Sequence, residues 1–464
     1  MTQELSPADR SSLAAERGQI NMAVGGLLVF ESHPPLTRAM VAERIAERIH
    51  LVPRLRHRLE EPPLGIANPV WTDDTSFDLD WHVRQASLPR PGGDTELGTL
   101  VGREFSHRLD RTRPLWEATL IEGLEGGRTG LLMKVHHALV DGMAAIGMAA
   151  LVLDPSEEPL EIPPPEQEWS PRKYDMRRHV ARLARRPLTR APKLMIEGML
   201  RALDPDPRRT AADMQRAAGV ALELARTRPQ APMTPLNRPI SPNRRFAVAH
   251  VELDVLKQVR RTTGGTINDV VLAIVAGMLG RYLAAAGPEA YPPNVRAPVA
   301  LVPVSVRDPA ESGELGNRIS TVFVDLPVNE HDLTARVQTI SAQTTELKDS
   351  AAVRAGALMV GAAGWAPPLV SGMLARAMGA VRAFNLVVSN IPGPQQPFYL
   401  SGVRMREVYP VVPLNPGNQG LSIGILSYDG VVCFGILADR DLEPPLSVAA
   451  AGLIAALGEL RTVG

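Results

Sequence analysis

Apolar and polar positions alternate in two rhythms along this chain, and the first 153 residues use both. NMAVGGLLVFE (21–31) reads as a strand, and PPLTRAMVAERIAERI (34–49) repeats its apolar positions at helical spacing. FDLDWHVRQASL (77–88) alternates like a strand, and ELGTLVGREFSHRL (96–109) looks helical. PLWEATLIEGL (114–124) and GRTGLLMKVHHAL (127–139) predict two strands joined by a glycine-rich turn, EGG. MAAIGMAALVL (143–153) predicts a helix.

From Asp154 to about Pro242 the character changes. EPLEIPPPEQEW is a proline-rich acidic linker, the run 172–193 carries nine Lys/Arg against one Asp, and AADMQRAAGVALELART (211–227) is helical in pattern. The α/β style then returns. RRFAVAHVEL (244–253), APVALVPVSVR (297–307), NRISTVFVDLPV (317–328) and NLVVSNIPGP (385–394) predict strands. INDVVLAIVAGMLGRYLAAAG (267–287) predicts a long helix, and the last twenty residues another. LSIGILSYDGVVCFGILAD (421–439) predicts a hairpin turning at Asp429-Gly430. The expected organisation is an N-terminal lobe over 1–153, a Pro/Arg-rich helical linker over 154–243 and a C-terminal lobe over 244–464, each lobe mixed α/β.

Composition narrows the function classes. The 464 residues, 45% hydrophobic and 22% charged, suffice for a large core, and 50 Lys+Arg balance 50 Asp+Glu, so no global field favours nucleic acid. One cysteine, Cys433, excludes an internal disulfide. The polar N-terminus has no apolar stretch of secretory type, so a cytoplasmic protein is expected. Residues 355–375 are long and uncharged enough to raise a membrane span, but Pro367-Pro368 would break that helix, so two short apolar helices are expected. They are read either as buried core or as a surface touching lipid. The basic run 172–193 is either a solvated helix face or a contact with anionic lipid.

The candidate chemistry sits in KVHHALVDGMAA (134–145), where a buried strand ends and a helix begins. Adjacent His136 and His137, then Asp141 and Gly142, admit three readings: a base with its support, a metal pair, or core histidines. If the helix starts within the motif, Asp141 falls on the face of His137 and could hold its ring. Gly142 would allow close backbone approach beside a helix N-terminus that favours developing negative charge. No HExxH or CxxC spacing supplies further metal ligands, so no metal is expected. GLSIG (420–424) matches the G-x-S-x-G form, but it runs into a hairpin, so Ser422 is expected to be an ordinary strand residue. Cys433 lies in an apolar strand. A neutral imidazole acting as general base then remains, worth roughly 10²–10⁴ in rate.

HHALVDG resembles the HHxxxDG signature of the acyl-CoA-dependent acyltransferase and condensation-domain superfamily. With LSPADRSSLAAERGQINMAVGGLLVFE, PLWEATLIEGL, INDVVLA, VPVSVR with GNRIS, VVSNIPGP and SYDGVVCFGILAD, nearly the whole chain resembles the bacterial wax ester synthase/diacylglycerol acyltransferase family. The resemblance implies an α/β (α+β) fold of two chloramphenicol-acetyltransferase-like lobes with mixed sheets, joined by a long helical crossover, with an active-site tunnel between them. It implies that His137 deprotonates the hydroxyl of diacylglycerol or a long-chain alcohol, which attacks a fatty acyl-CoA, and that His136 supports it. Asp141 would orient the site structurally, with Arg307 its candidate ion-pair partner. Asn268 and Asp269 match the family's ND motif and Pro114, Leu115 and Trp116 its PLW motif, both structural or substrate-binding. Asn390 and Gly393 would sit in a turn bordering the acyl tunnel. Acyl-CoA is a substrate, and no cofactor is implied. Peripheral association with the inner face of the membrane or with lipid droplets is expected. Two alternatives stand beside this reading: a non-catalytic lipid-binding or droplet-coating protein, and a free-standing condensation-type enzyme acting on carrier thioesters.

Overall fold

The computed structural model describes residues 3–61, 69–139, 148, 151–175, 230–292, 294–305, 319–349, 382–414 and 418–463. Asp141, Gly142, Arg307, the run 355–375, the helical stretch 211–227 and all but the first four residues of the run 172–193 lie outside them.

Two six-stranded mixed sheets form the frame. The first is built mainly from the N-terminal third: β2 (Ala23–Phe30), β5 (Val83–Ser87), β6 (Trp116–Glu122) and β7 (Thr129–His136). A small side sheet collects β1 (Gln3–Glu4), β3 (His57–Glu60) and β4 (Val70–Asp73) in the order β1-β4-β3. Helices α1 (Pro7–Ala15), α2 (Arg38–Arg48), a short α3 (Leu79–His82) and α4 (Asp94–Ser106) belong to this half.

The second sheet has the order β10-β9-β11-β14-β15-β8. Its strands are β8 (Arg244–Glu252), β9 (Val299–Ser305), β10 (Ile319–Asp325), β11 (Leu386–Pro392), β14 (Leu421–Tyr428) and β15 (Val431–Asp439). β11 runs parallel to β9 and β14, and the remaining pairs are antiparallel. Its helices are α5 (Leu253–Thr263), α6 (Ile267–Ala286), α7 (Leu333–Asp349) and α8 (Leu446–Val463). α6 is long and apolar enough to cross a membrane, yet 72% of its most apolar window is buried, because it packs against α8, α7 and α5 inside the second core.

Among the described residues two strands cross the predicted division along the chain. β12 (Tyr399–Leu400) and β13 (Val403–Val411), from the C-terminal stretch, complete the first sheet in the order β12-β13-β2-β7-β6-β5. β13 pairs antiparallel with β2 while its far end lies against β14 and β15. That approach requires glycine. A Cβ on Gly435 would stand 2.2 Å from the Pro410 carbonyl oxygen, and one on its cross-strand partner Gly424 would stand 2.7 Å from Pro410 Cβ.

A second tie joins the halves at α4. Ser106 Oγ, at its last turn, accepts the Arg244 N–H at 2.8 Å, and the Arg244 guanidinium donates to the Gln19 carbonyl at 2.8 Å and faces Asp439 at 3.4 Å.

One predicted strand is corrected. The alternation at 77–88 becomes strand only from Val83, because the Asp78 side chain accepts the Asp80 N–H at 3.0 Å and starts the α3 turn. The β14–β15 hairpin turns at Asp429 and Gly430, both at positive φ (44° and 79°), as Asp-Gly predicts. The start of the acidic linker is clamped to the first half. Buried Asp154 pairs with Arg44 and Arg48, and the Arg56 guanidinium lies 4.6 Å from the Trp169 ring.

Candidate active site

All eight residues of β7 are buried, so the chain reaches the two histidines from inside the core. The ladder is extended past the strand end by backbone bonds on both sides. His136 N–H donates to the Leu115 carbonyl at 3.0 Å and His137 N–H to the Met22 carbonyl at 2.9 Å, and Leu139 N–H closes a turn onto His136 O at 2.8 Å. Two residues back, Lys134 Nζ donates to the carbonyls of Glu104 and His107 at 2.8 and 2.7 Å. Asn21 Nδ2 takes Phe105 O and His107 O at 3.0 and 2.8 Å. The unpaired carbonyls at the C-terminal end of α4 are thereby satisfied by groups from β7 and the approach to β2.

His136 is 1% exposed. Its Nδ1 lies 3.0 Å from the Ala138 backbone N–H. An amide can only donate, so Nδ1 carries the lone pair and the ring proton sits on Nε2. Nε2 faces Glu16 Oε2 at 3.5 Å, long for a hydrogen bond. Nδ1 of His136 is thus engaged by the backbone, while its buried Nε2 faces Glu16 without a hydrogen bond.

His137 differs. Its residue is solvent-exposed, while the surrounding protein desolvates the ring and pushes its pKa below the ordinary value, an effect partly offset by a hydrogen bond to its own carbonyl. Only Nδ1 can reach that oxygen, and among the described residues Nε2 has no hydrogen-bond partner. Ser12 Oγ of α1 stands 3.5 Å from Nδ1, at the edge of contact.

Glu16, the C-cap of α1, was not singled out in the sequence. Burial opposes its charge, but the adjacent His136 ring, the Met22 N–H and Arg111 outweigh that and bring its pKa down to about 2. Ser6-Pro7-x-Asp9 was the available signal for α1. Ser6 Oγ accepts the Asp9 N–H at 3.1 Å and Asp9 Oδ2 accepts the Ser6 N–H at 3.2 Å, a reciprocal cap with Pro7 in the first turn.

The structure separates the other sequence candidates. Pro114, Leu115 and Trp116 are buried. Trp116 donates from Nε1 to Leu55 O at 2.8 Å and stacks on His82 at 4.5 Å, and burial drives His82 down to about 4. Asp269 is 2% exposed and caps α6, accepting the Thr266 N–H at 2.8 Å and the Thr344 hydroxyl at 2.8 Å. Its neighbour Asn268 is half-buried and accepts from Asn390 Nδ2 at 3.0 Å, so the ND and SNxPGP motifs meet. Asn390 lies on β11 rather than in the turn expected. Gly393 follows that strand, where a Cβ would meet the Ser427 carbonyl at 2.3 Å.

Ser422 is 1% exposed on β14 and donates to Val412 O at 2.6 Å, so it forms no nucleophile elbow. Cys433 is fully buried and burial pushes its thiol up to about 12. Among the described residues no group of three His, Cys, Asp or Glu could hold a metal.

Two mixed sheets tied by a crossover strand, with a solvent-reaching histidine at the end of β7, are the frame of a two-lobed acyltransferase fold. The chain belongs to the wax ester synthase/diacylglycerol acyltransferase family. The model of that family's catalytic domain matches residues 5–271, and the model of its C-terminal domain matches residues 315–461.

The chain is 31% identical to a Mycobacterium tuberculosis protein named "Probable diacyglycerol O-acyltransferase tgs2", over 98% of each. It is 30% identical to the O-acyltransferase WSD of Acinetobacter baylyi, over 95% of this chain and 93% of that protein. Among solved structures, the wax ester synthase/diacylglycerol acyltransferase of Marinobacter aquaeolei is 28% identical over 99% of each chain, with TM-score 0.68. The starter condensation domain of rhizomide synthetase shares the fold at TM-score 0.57 and 14% identity.

Proposed function

We propose that this chain transfers a long-chain fatty acyl group from its CoA thioester to the hydroxyl of diacylglycerol, and also to long-chain alcohols, with His137 as the general base. The observation that carries this reading is the asymmetry of the histidine pair: His136 is buried, with Nδ1 accepting the Ala138 N–H and Nε2 facing Glu16, whereas His137 is exposed and among the described residues its Nε2 has no hydrogen-bond partner. In the proposed reaction Nε2 takes the hydroxyl proton as the oxygen attacks the thioester carbonyl. The tetrahedral intermediate collapses, the C–S bond breaks, and the imidazolium returns the proton to the departing thiolate. Desolvation, which lowers the pKa of this imidazole, favours its neutral, proton-accepting form. No cofactor takes part in the scheme. Family membership, with relatives named for this activity along nearly their whole length, supports the choice of substrates.

The acceptors are insoluble in water, and the run 172–193 carries nine Lys/Arg. We therefore place the enzyme in the cytoplasm, held peripherally at the inner face of the membrane or at lipid droplets.

The deciding assay is CoA release from palmitoyl-CoA across diacylglycerol, monoacylglycerol and long-chain alcohols. His137→Ala should lose about 10²–10⁴ in kcat while remaining folded. Wild-type-like turnover by that variant refutes the base assignment.

A further inference from the structure

The histidine pair is held by a carboxylate outside its own motif. One face of α1 addresses both rings, Ser12 reaching His137 and Glu16, four residues on, reaching His136. Glu16 is 5% exposed, with Oε1 accepting the Met22 N–H at 3.2 Å and Oε2 accepting Arg111 Nη2 at 3.0 Å and Nε at 3.3 Å. Arg111 is itself fixed, since Nη2 also donates to Leu13 O at 3.2 Å and Nη1 pairs with Glu61 at 3.2 Å.

Glu16 touches neither nitrogen of His137, but it reaches that residue by two short paths. Along the first it faces Nε2 of His136, the preceding residue in the chain. Along the second it holds the N–H of Met22, whose carbonyl accepts the His137 N–H at 2.9 Å. Both paths end on the backbone that aims the His137 ring. The carboxylate also favours the His136 tautomer with its proton on Nε2, leaving Nδ1 to accept the Ala138 N–H that shapes the turn after the motif.

Building on the reading of His137 as base, we propose that Glu16 is a positioning residue for it: anchored by Arg111, its carboxylate fixes the His136 tautomer and the Met22 peptide, and through them the angle at which His137 meets the acceptor hydroxyl. A positioning role predicts a loss in turnover without a matching loss in binding, because a small misplacement of a reacting group is felt chiefly at the transition state.

The test is steady-state kinetics of Glu16→Gln with palmitoyl-CoA and diacylglycerol, run beside Glu16→Asp and His137→Ala. Glu16→Gln should lower kcat roughly 10–100-fold with KM for palmitoyl-CoA within about 2-fold, and Glu16→Asp, which restores the charge, should regain part of the loss. Wild-type kcat in Glu16→Gln overturns the proposal. So does a loss shared by kcat and KM with a lowered melting temperature, which would make Glu16 a purely structural residue.

Should Glu16→Gln not fold, His136→Gln breaks the first path with Glu16 and Arg111 in place. A kcat loss of the same kind then supports the proposal, and wild-type kcat overturns it. An active His137→Ala would instead remove the base reading itself. An inactive His137→Ala beside a fully active Glu16→Gln leaves that reading intact and removes only the positioning role.

Discussion

Replacing Lys134 by methionine sets two opposed terms against each other. The side chains are similar in length, but methionine has no donor. The lost term is two hydrogen bonds from a buried ammonium, to Glu104 O at 2.8 Å and His107 O at 2.7 Å, each worth about 1.5–3 kcal/mol for a charged donor. The gained term is relief of the desolvation that already pushes the Lys134 pKa down, a cost of several kcal/mol for a buried ion. Partners decide the balance. His107 O keeps Asn21 Nδ2 at 2.8 Å, but Glu104 O loses its lysine donor. Glu117, 4.0 Å from Nζ and itself destabilised by burial, is left with Arg84 at 3.1 Å. A net loss of about 2 kcal/mol is expected.

Four of the five tryptophans (Trp71, Trp81, Trp116 and Trp169) lie in the N-terminal half, so their fluorescence reports on this lobe. With a urea slope of about 2 kcal/mol/M, the midpoint should fall by about 1 M. An unchanged or raised midpoint would show that desolvation outweighs the two bonds, and Lys134 would not be the clamp on the end of α4.

Two further outcomes are expected. Desolvation lowers the His137 pKa, and the base works only when neutral. CoA release should therefore hold as pH falls and disappear through a midpoint below the about 6.5 of free imidazole; a midpoint above that value contradicts the assignment. Neutralising four arginines of the run 172–193 should weaken co-sedimentation with anionic vesicles, since each cation near such a surface contributes about 1 kcal/mol. Unaltered sedimentation would exclude that run from the membrane contact.

Much of this arrangement is legible in the sequence where a signal is local. β7 reads as an apolar run stopped by two histidines, α6 as a long apolar segment, and the β14–β15 turn as Asp-Gly. One carboxylate beside the histidines is not local. Spacing within the motif directs attention to Asp141, which lies outside the described residues, and says nothing of Glu16, which reaches His136 from the end of α1. A charged residue closing a polar helix carries no mark of its partner. The Ser-Pro-x-Asp cap announces where α1 begins but not what its face meets. β13 escaped for a related reason. VRMREVYPV mixes Arg404, Arg406 and Glu407 with a proline, and it becomes a strand only because β2 offers an open edge. PLW and ND stand out as motifs, yet only the structure shows the hydrogen bonds that Trp116 makes to Leu55 O and Asp269 to the Thr266 N–H.

The crossover of β13 also has a consequence for synthesis. β2 leaves the ribosome among the first thirty residues, but its neighbour on one side is completed only at Val411. Through most of translation the first sheet presents β2 as an unpaired edge, the kind of template that recruits other strands. A fragment ending at residue 271, where the catalytic-domain match stops, would keep the histidines and that open edge together. The first sheet is thus closed only by the last quarter of the chain.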